Sequence, residues 1–165
     1  MIKTIGILLF MICGFFTGQA MAKKEQSKYQ NGENLIWMMR CMLQSVKTGR
    51  TDMPMIDNQQ NMALRWDFFR VFKEKYSAGN PVKFCYFTAK QAVKMTLIPE
   101  FEQQTDRFFA EFGTLTQEMQ LSMCETIISA CSQILQANKK EVFGKAKLFR
   151  KVTPLCFAVV AVIFM

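Results

Sequence analysis

The sequence predicts an all-α fold, a small bundle of four to five helices cross-linked by two interhelical disulfides. Three observations predict it: apolar residues recur every three or four positions, glycines follow the periodic segments, and cysteines occur on the predicted helices. Apolar residues at that spacing line one face of a helix, and a glycine just beyond it ends the helix. At 165 residues, the chain suits a single domain flanked by two specialised ends.

The first 22 residues have the features of a secretory signal peptide. Lys3 is followed by the apolar run IGILLFMICGFF, and Ala20 and Ala22 take the small-residue positions of a cleavage site. Cleavage there predicts an exported chain that begins at Lys23 and has lost Cys13. An uncleaved membrane anchor or a buried N-terminal helix is the alternative.

Residues 23–138 are predicted to form the helical domain. A polar lead-in, 23–32, precedes a methionine-rich helix over 33–48 that ends at Gly49. Its methionines are expected to fill the core, and an adaptable apolar groove is the alternative. The domain has fourteen basic and twelve acidic residues, a net charge of +2, so its charge gives no reason to expect nucleic-acid binding.

Two further helices are predicted before residue 99. The segment 61–76 carries apolar and aromatic side chains on one broad face, and Gly79 ends it. Asn80 and Pro81 suit the N-cap and first turn of the next helix, over 82–98. The stretch VKFCYFT is rich in aromatic and β-branched residues, so a strand is the alternative there. The helix is favoured because the periodic pattern is longer than a typical strand.

The last two helices of the domain lie on either side of Gly113. Pro99 begins the first of them. Its carboxylates are expected to form a solvated face opposite its phenylalanines: Glu100, Glu102, Asp106 and Glu111. Thr114 and Gln117 match a capping box for the final helix, which is expected to end near Asn138.

Four cysteines of the domain are the candidates for two disulfides: Cys41, Cys85, Cys124 and Cys131. Cysteines of exported proteins meet an oxidising compartment and tend to pair. Cys124 and Cys131 lie two helical turns apart, about 10.5 Å along the axis, whereas a disulfide joins Cα atoms about 4.4–6.8 Å apart. Each is therefore expected to bond to Cys41 or Cys85, in either of two connectivities. Free buried thiols are the alternative.

Residues 139–165 form a basic segment followed by a short apolar tail. Six basic residues are predicted to contact anionic lipid headgroups: Lys139, Lys140, Lys145, Lys147, Arg150 and Lys151. The tail LCFAVVAVIFM has eleven residues, fewer than the roughly 20 of a spanning helix. Three interpretations stand: an anchor signal that is removed, a short membrane-inserted end, or an element packed on the core.

The sequence contains no motif for catalysis. It has no histidine, so it has no imidazole base, and its cysteine spacings include no C-x2-C metal motif. Its eight glycines form no phosphate-binding loop. We therefore expect no enzyme activity, no catalytic residue, no cofactor and no metal site.

The expected function is a non-enzymatic exported helical protein that binds another protein and is held at a membrane or cell surface. Its expected partners are an unidentified protein and an anionic membrane surface, and nucleic acid is not among them. Two alternatives stand: a carrier of an apolar ligand or lipid in a helical cavity, and a membrane-active cationic protein.

Overall fold

A computed structural model of the chain describes residues 2–49 and 66–163. Within those ranges it contains five α-helices and no strand, which confirms the all-α prediction. The helices are α1 (Ile2–Lys47), α2 (Asp67–Ser77), α3 (Val82–Ala92), α4 (Pro99–Glu111) and α5 (Gln117–Ile163). The stretch VKFCYFT lies in α3, so the strand alternative is wrong. Most of the predicted loop around Pro54, and the predicted start of the second helix, lie outside the described residues.

The two longest helices extend well beyond their predicted ends. α1 includes residues 23–32, predicted as a lead-in, without a break. α5 continues past Asn138 to Ile163 and passes through Pro154. The only breaker between Asn138 and Pro154 is Gly144, and one glycine costs a helix about 1 kcal/mol relative to alanine. Nothing in the local sequence therefore ends α5 near Asn138, the predicted position.

The chain divides into two compact units. One comprises Met1–Gln30 with Ala137–Met165, and the other comprises Asn31–Gln136. We call the first the helix-pair unit and the second the core unit. α1 and α5 contribute residues to both, whereas α2, α3 and α4 belong to the core unit alone.

The core unit is built around aromatic and methionine side chains that the helical periodicity places inward. The largest of them are no more than 1% exposed: Leu35, Met38, Met39, Met42, Phe68, Phe72, Phe101, Phe108 and Phe109. Burying a side chain of this size contributes roughly 1.5–3 kcal/mol before the loss of conformational entropy is subtracted. The prediction that the methionines of the first helix fill the core is confirmed for Met38, Met39 and Met42.

A stacked aromatic pair joins α3 to α4. The rings of Tyr86 and Phe109 lie 4.1 Å apart between centroids, with 7° between their planes. Phe68 of α2 meets Tyr86 edge-on at 5.9 Å, and Phe72 meets Phe109 edge-on at 6.3 Å. Aromatic pairs add about 0.5–1.5 kcal/mol beyond the area they bury. These contacts hold three helices of eleven to thirteen residues, a length that is marginal for an isolated helix in water.

Three glycines in left-handed backbone conformations follow the ends of helices. Gly49, Gly79 and Gly113 have φ angles of +64°, +80° and +83°. A Cβ is disfavoured in that region, which is why glycine is common just after a helix. The predicted stops at these three positions are confirmed.

The predicted capping box of the last helix is not formed. Thr114 Oγ1 instead donates a 2.7 Å hydrogen bond to the Glu111 carbonyl oxygen and closes α4. The backbone N–H of Gln120 bonds to the Thr116 carbonyl oxygen at 2.8 Å, so α5 begins after Thr116. A threonine hydroxyl can cap either the preceding or the following helix, and the motif alone does not distinguish the two.

Candidate membrane-contacting helix pair

In the helix-pair unit, a stripe of small residues on α1 packs against large residues of α5. Gly14, Gly18 and Ala22 follow one another at four-residue spacing on one face of α1, and all three are buried. A Cβ added to Gly14 would lie 2.6 Å from Phe157 Cβ, and one added to Gly18 would lie 2.9 Å from the Phe149 carbonyl oxygen. The two backbones therefore approach closely, as in the small-xxx-small contacts of membrane helices.

The two helices run antiparallel. Gly14 meets Phe157, whereas farther along α1 the ring of Tyr29 meets Phe143 at 5.5 Å between centroids. Rising residue numbers on α1 thus correspond to falling numbers on α5. The start of α1 and the end of α5 consequently lie at the same end of the helix-pair unit.

At that end α5 exposes a continuous apolar stripe. Five residues at steps of three and four are between 42% and 73% exposed: Leu148, Val152, Leu155, Val159 and Ile163. The helical turn places this stripe on a different side of α5 from Phe149 and Phe157, which contact α1. It contains no charged residue.

The facing segment of α1 is apolar on all its described sides. Six large side chains are between 40% and 65% exposed: Leu9, Phe10, Met11, Ile12, Phe15 and Phe16. Phe10 also contacts α5, with its ring 5.0 Å from that of Phe157 between centroids. We call these exposed apolar side chains the apolar tip: Leu9, Phe10, Met11, Ile12, Phe15, Phe16, Leu148, Val152, Leu155, Val159 and Ile163.

Next to the apolar tip lie the six basic residues singled out from the sequence. All of them are on α5 in the helix-pair unit, and all are exposed. Lys23 and Lys24 of α1 are exposed as well, and the antiparallel pairing brings their segment beside that of the six. We call these eight residues the basic collar: Lys23, Lys24, Lys139, Lys140, Lys145, Lys147, Arg150 and Lys151.

Three members of the basic collar have contacts within the unit. Arg150 Nη2 donates a 3.1 Å hydrogen bond to Gln26 Oε1, and Lys139 Nζ lies 5.8 Å above the Tyr29 ring. Lys145 Nζ is 2.6 Å from Glu141 Oε1, and this hydrogen bond raises the pKa of Lys145. Lys145 therefore keeps its positive charge at neutral pH, and the other lysines of the collar are exposed.

The chain matches a known protein family over nearly its whole length. The family described as stage III sporulation protein AB matches residues 3–165. The chain belongs to this family. No curated protein and no solved structure matches the chain. The match covers both helices of the helix-pair unit as well as the core unit, so the apolar tip and the basic collar lie within the family's region.

In this family member, the predicted disulfides are absent. All six cysteines lie in the described part of the chain and are free thiols. Cys85, Cys124 and Cys131 are fully buried, and Cys41 is partly buried. The same-face argument for Cys124 and Cys131 is confirmed, since both point into the core, but no partner thiol meets them there. The alternative of free buried thiols is the correct one.

Burial also controls the chemistry of these thiols. Burial raises the pKa of Cys124 to about 11 and that of Cys131 to about 12. It likewise raises the pKa of Cys41 and of Cys85, whose Sγ donates a 3.5 Å hydrogen bond to the Asn80 carbonyl oxygen. The thiolate is the reactive form, so these side chains serve as small apolar core residues at neutral pH.

A polar cluster between α3 and α4 was not expected from the sequence. Lys90 Nζ lies 2.6 Å from Asp106 Oδ1 and 2.7 Å from Glu102 Oε1. The Tyr86 hydroxyl donates a 2.7 Å hydrogen bond to Asp106 Oδ1, and burial raises the pKa of Tyr86. Glu102 and Asp106 are partly exposed, as a solvated face requires, but their pairing with Lys90 was not predicted. The i, i+4 spacing of these two carboxylates was a signal for one shared cation.

No described helix contains a stretch that is both long and apolar enough to cross a membrane. No described group of three or more histidine, cysteine, aspartate or glutamate side chains has the arrangement of a metal site.

Proposed function

We propose that this member of the stage III sporulation protein AB family is a non-enzymatic helical interaction protein held at an anionic membrane. The apolar tip inserts into the hydrocarbon, and the basic collar contacts the headgroups. The observation that carries the proposal is the position of the exposed apolar tip directly beside the exposed basic collar. The core unit is then the part that meets a protein partner.

The exposure of the apolar tip favours contact with lipid, because apolar side chains are unfavourable in water. Leu155 is 64% exposed, Phe16 65% and Ile163 73%. Each buried CH₂ group contributes about 0.8 kcal/mol, so covering several such side chains provides a strong driving force. Soluble monomers rarely expose a contiguous apolar patch of this kind, and such patches mark interaction surfaces.

The geometry of the helix pair suits insertion into the hydrocarbon, because helical backbone forms its hydrogen bonds without another protein. Residues 152–163, which follow the last charged residue of the collar, extend over about 18 Å at 1.5 Å per residue, compared with a hydrocarbon core about 30 Å thick. Apart from the helix ends and the position of Pro154, the backbone N–H and C=O groups are bonded within the two helices, which suits a hydrocarbon environment. Each collar lysine or arginine near an anionic surface contributes about 1 kcal/mol more.

This proposal requires the first 22 residues to stay attached to the chain. Cleavage after Ala22 would remove Gly14 and Gly18, which pack against Phe157 and Phe149 of α5. Signal cleavage and export remain predictions of the sequence. The uncleaved-anchor alternative is the one that this packing supports.

Vesicle flotation of the full chain tests the proposal. We expect binding to vesicles that contain phosphatidylglycerol and much weaker binding to pure phosphatidylcholine vesicles. Replacing Lys140, Lys147, Arg150 and Lys151 by glutamine should weaken binding more than about tenfold, since each charge contributes about 1 kcal/mol.

The matched control removes the same charge from the core unit. It replaces exposed basic residues of α2, α3 and α4 by glutamine: Arg70, Lys73, Lys83 and Arg107. Binding should be unchanged in this variant. Equal loss in both variants, or equal binding to neutral vesicles, would contradict the proposal. Release of a trapped dye from the vesicles would instead support the membrane-active alternative.

A further inference from the structure

The core unit contains a pocket where four of its helices begin or end. Its walls come from the last turns of α1 and α2, the start of α3 and the start of α5, together with the turn after α4. The volume is about 430 Å³, within the roughly 300–1,000 Å³ typical of ligand pockets. All of its lining residues belong to the core unit, so the pocket is independent of the apolar tip.

The described lining residues are mainly apolar, and none of them carries a charged side chain. Its larger apolar residues are Met42, Val46, Tyr76, Val82, Phe112 and Leu115. An ionised occupant would lose its hydration there without gaining a partner charge. The pocket therefore suits an uncharged, mainly apolar group.

Gln120 supplies an unused hydrogen-bonding group in this pocket. The residue is 93% buried, and its side-chain amide has no hydrogen-bond partner among the described residues. The Ser45 and Gln117 side chains, in contrast, already have hydrogen-bond partners. The Ser45 hydroxyl donates to the Cys41 carbonyl oxygen at 3.2 Å, and Gln117 Nε2 donates to the Val46 carbonyl oxygen at 3.3 Å. No described side-chain nitrogen or oxygen that is sealed from solvent lacks a partner, so the Gln120 amide reaches the pocket space.

We propose that this pocket receives an uncharged apolar side chain of a protein partner, and that the Gln120 amide pairs with the peptide group beside it. A primary amide offers a donor and an acceptor, and a peptide group offers the complementary pair. In the free protein only water that enters the pocket bonds this amide, and a peptide group in the pocket takes the place of that water. This inference deepens the proposed function, on which it rests, by naming the site at which the core unit binds its partner.

A peptide suits the pocket better than a lipid chain does. A hydrocarbon chain would cover the Gln120 amide and leave it desolvated, whereas a peptide satisfies it. The anionic headgroup of a lipid would also find no cation among the lining residues. An apolar side chain flanked by a peptide group brings no charge into the pocket and supplies a hydrogen-bond partner for the Gln120 amide.

The test uses the full chain in lipid nanodiscs, because detergent monomers compete for apolar pockets. The probes are N-acetyl-leucine-N-methylamide, which carries an isobutyl side chain between two peptide groups, and 1-hexanol, which has no peptide group. Binding is measured from the NMR shifts of the backbone amides of the lining residues Val46 and Leu115, which every variant retains. The Gln120 side-chain amide, assigned by its loss in Gln120→Met, reports contact with the polar group. We expect the leucine probe to bind and to shift this amide, and 1-hexanol to bind more weakly.

Three variants make the result specific. Gln120→Met keeps the side-chain length without the amide. It should weaken binding of the leucine probe about threefold to tenfold, which corresponds to the loss of one hydrogen bond. Gln103→Met makes the same change at an exposed site of α4 and should leave binding unaltered. Ser45→Phe should fill the pocket and abolish binding, and Gln120→Met keeps the test decisive if that variant does not fold.

The outcomes separate this inference from the membrane proposal. Absence of probe binding, or equal binding of both probes with no effect of Gln120→Met, overturns the peptide site even if flotation succeeds. Failure of flotation with specific binding of the leucine probe overturns the membrane proposal and leaves the pocket as a peptide site.

Discussion

Gly14 of α1 packs so closely on Phe157 of α5 that a Cβ at position 14 would lie 2.6 Å from Phe157 Cβ. These residues come from opposite ends of the chain, within the predicted signal peptide and within the predicted apolar tail. Their contact makes the two terminal segments one structural unit. The consequence is that the ends of this protein are best tested as a pair.

Gly14→Ala is expected to destabilise the helix pair, although alanine is the better helix former. Overpacking costs about 1–3 kcal/mol, and the gain in helix propensity is at most about 1 kcal/mol. Gly144→Ala is the matched control, since a Cβ at that exposed position of α5 meets nothing within 4 Å. It should stabilise the chain slightly. Urea unfolding followed by circular dichroism measures both, and equal effects of the two changes would show that the close contact is absent.

Free thiols predict the result of alkylation without reductant. The unfolded chain, treated with iodoacetamide and no reducing agent, should gain six adducts by mass spectrometry, one for each free cysteine. In the folded protein without lipid, the exposed Cys13 and Cys156 should react, and the buried Cys85, Cys124 and Cys131 should not. A mass lacking four adducts would restore the two predicted disulfides. The same spectrum shows whether the chain begins at Met1 or at Lys23.

The buried thiols predict that stability falls at alkaline pH. The pKa values of Cys124 and Cys131 are raised to about 11 and about 12, from 9.0 for a free thiol. Above pH 9 the unfolded chain loses protons that the folded chain keeps, so the unfolded state becomes favoured as pH rises. Each thiol contributes at most about 1.4 kcal/mol per pH unit between its two pKa values.

The control for this pH dependence is the double variant Cys124→Ala with Cys131→Ala. Its free energy of unfolding should fall less steeply between pH 9 and pH 11 than that of the unchanged chain. Other alkaline groups titrate equally in both proteins, so the difference in slope reports the two thiols. Identical slopes would mean that these thiols are not buried.

Lys90 is expected to matter for stability more than an exposed basic residue does. Its side chain is only 14% exposed and holds Glu102 and Asp106 together. Lys90→Met leaves two carboxylates facing one another beside Tyr86 and should cost about 1–3 kcal/mol, less than a fully buried pair because both carboxylates reach solvent. Arg107→Met removes an exposed partner of Glu111 and should cost about 0.5 kcal/mol or less. Thermal unfolding distinguishes the two, and equal losses would place the Lys90 cluster among ordinary surface pairs.

Local signals predicted the helices of the core unit with good accuracy. The apolar spacing placed Met38, Met39 and Met42 inward, and Gly49 and Gly113 ended their helices as expected. The same signals did not predict the ion pairs of Glu102 and Asp106, because their partner Lys90 lies on another helix. They also failed for Thr114, whose hydroxyl had two helix ends within reach.

The candidate site was predictable only in part. The basic residues of α5 were visible as a cluster in the sequence, and the short apolar tail beside them pointed to a membrane. The small-residue spacing of Gly14, Gly18 and Ala22 was also present, but it resembles the small residues that precede a signal cleavage site. Spacing within one segment does not show which distant segment packs on it.

Periodicity and glycine positions thus specify an all-α chain with a basic, apolar C-terminal region, because helix formation depends on neighbours three and four residues away. The pairing of residues 9–22 with 149–161, the free state of the cysteines and the unpaired Gln120 amide were settled by packing. Packing joins residues far apart in the chain and depends on shape, as when the missing side chain of Gly14 makes room for Phe157. The sequence pattern indicates which residues share one face of a helix, but not which faces pack against one another.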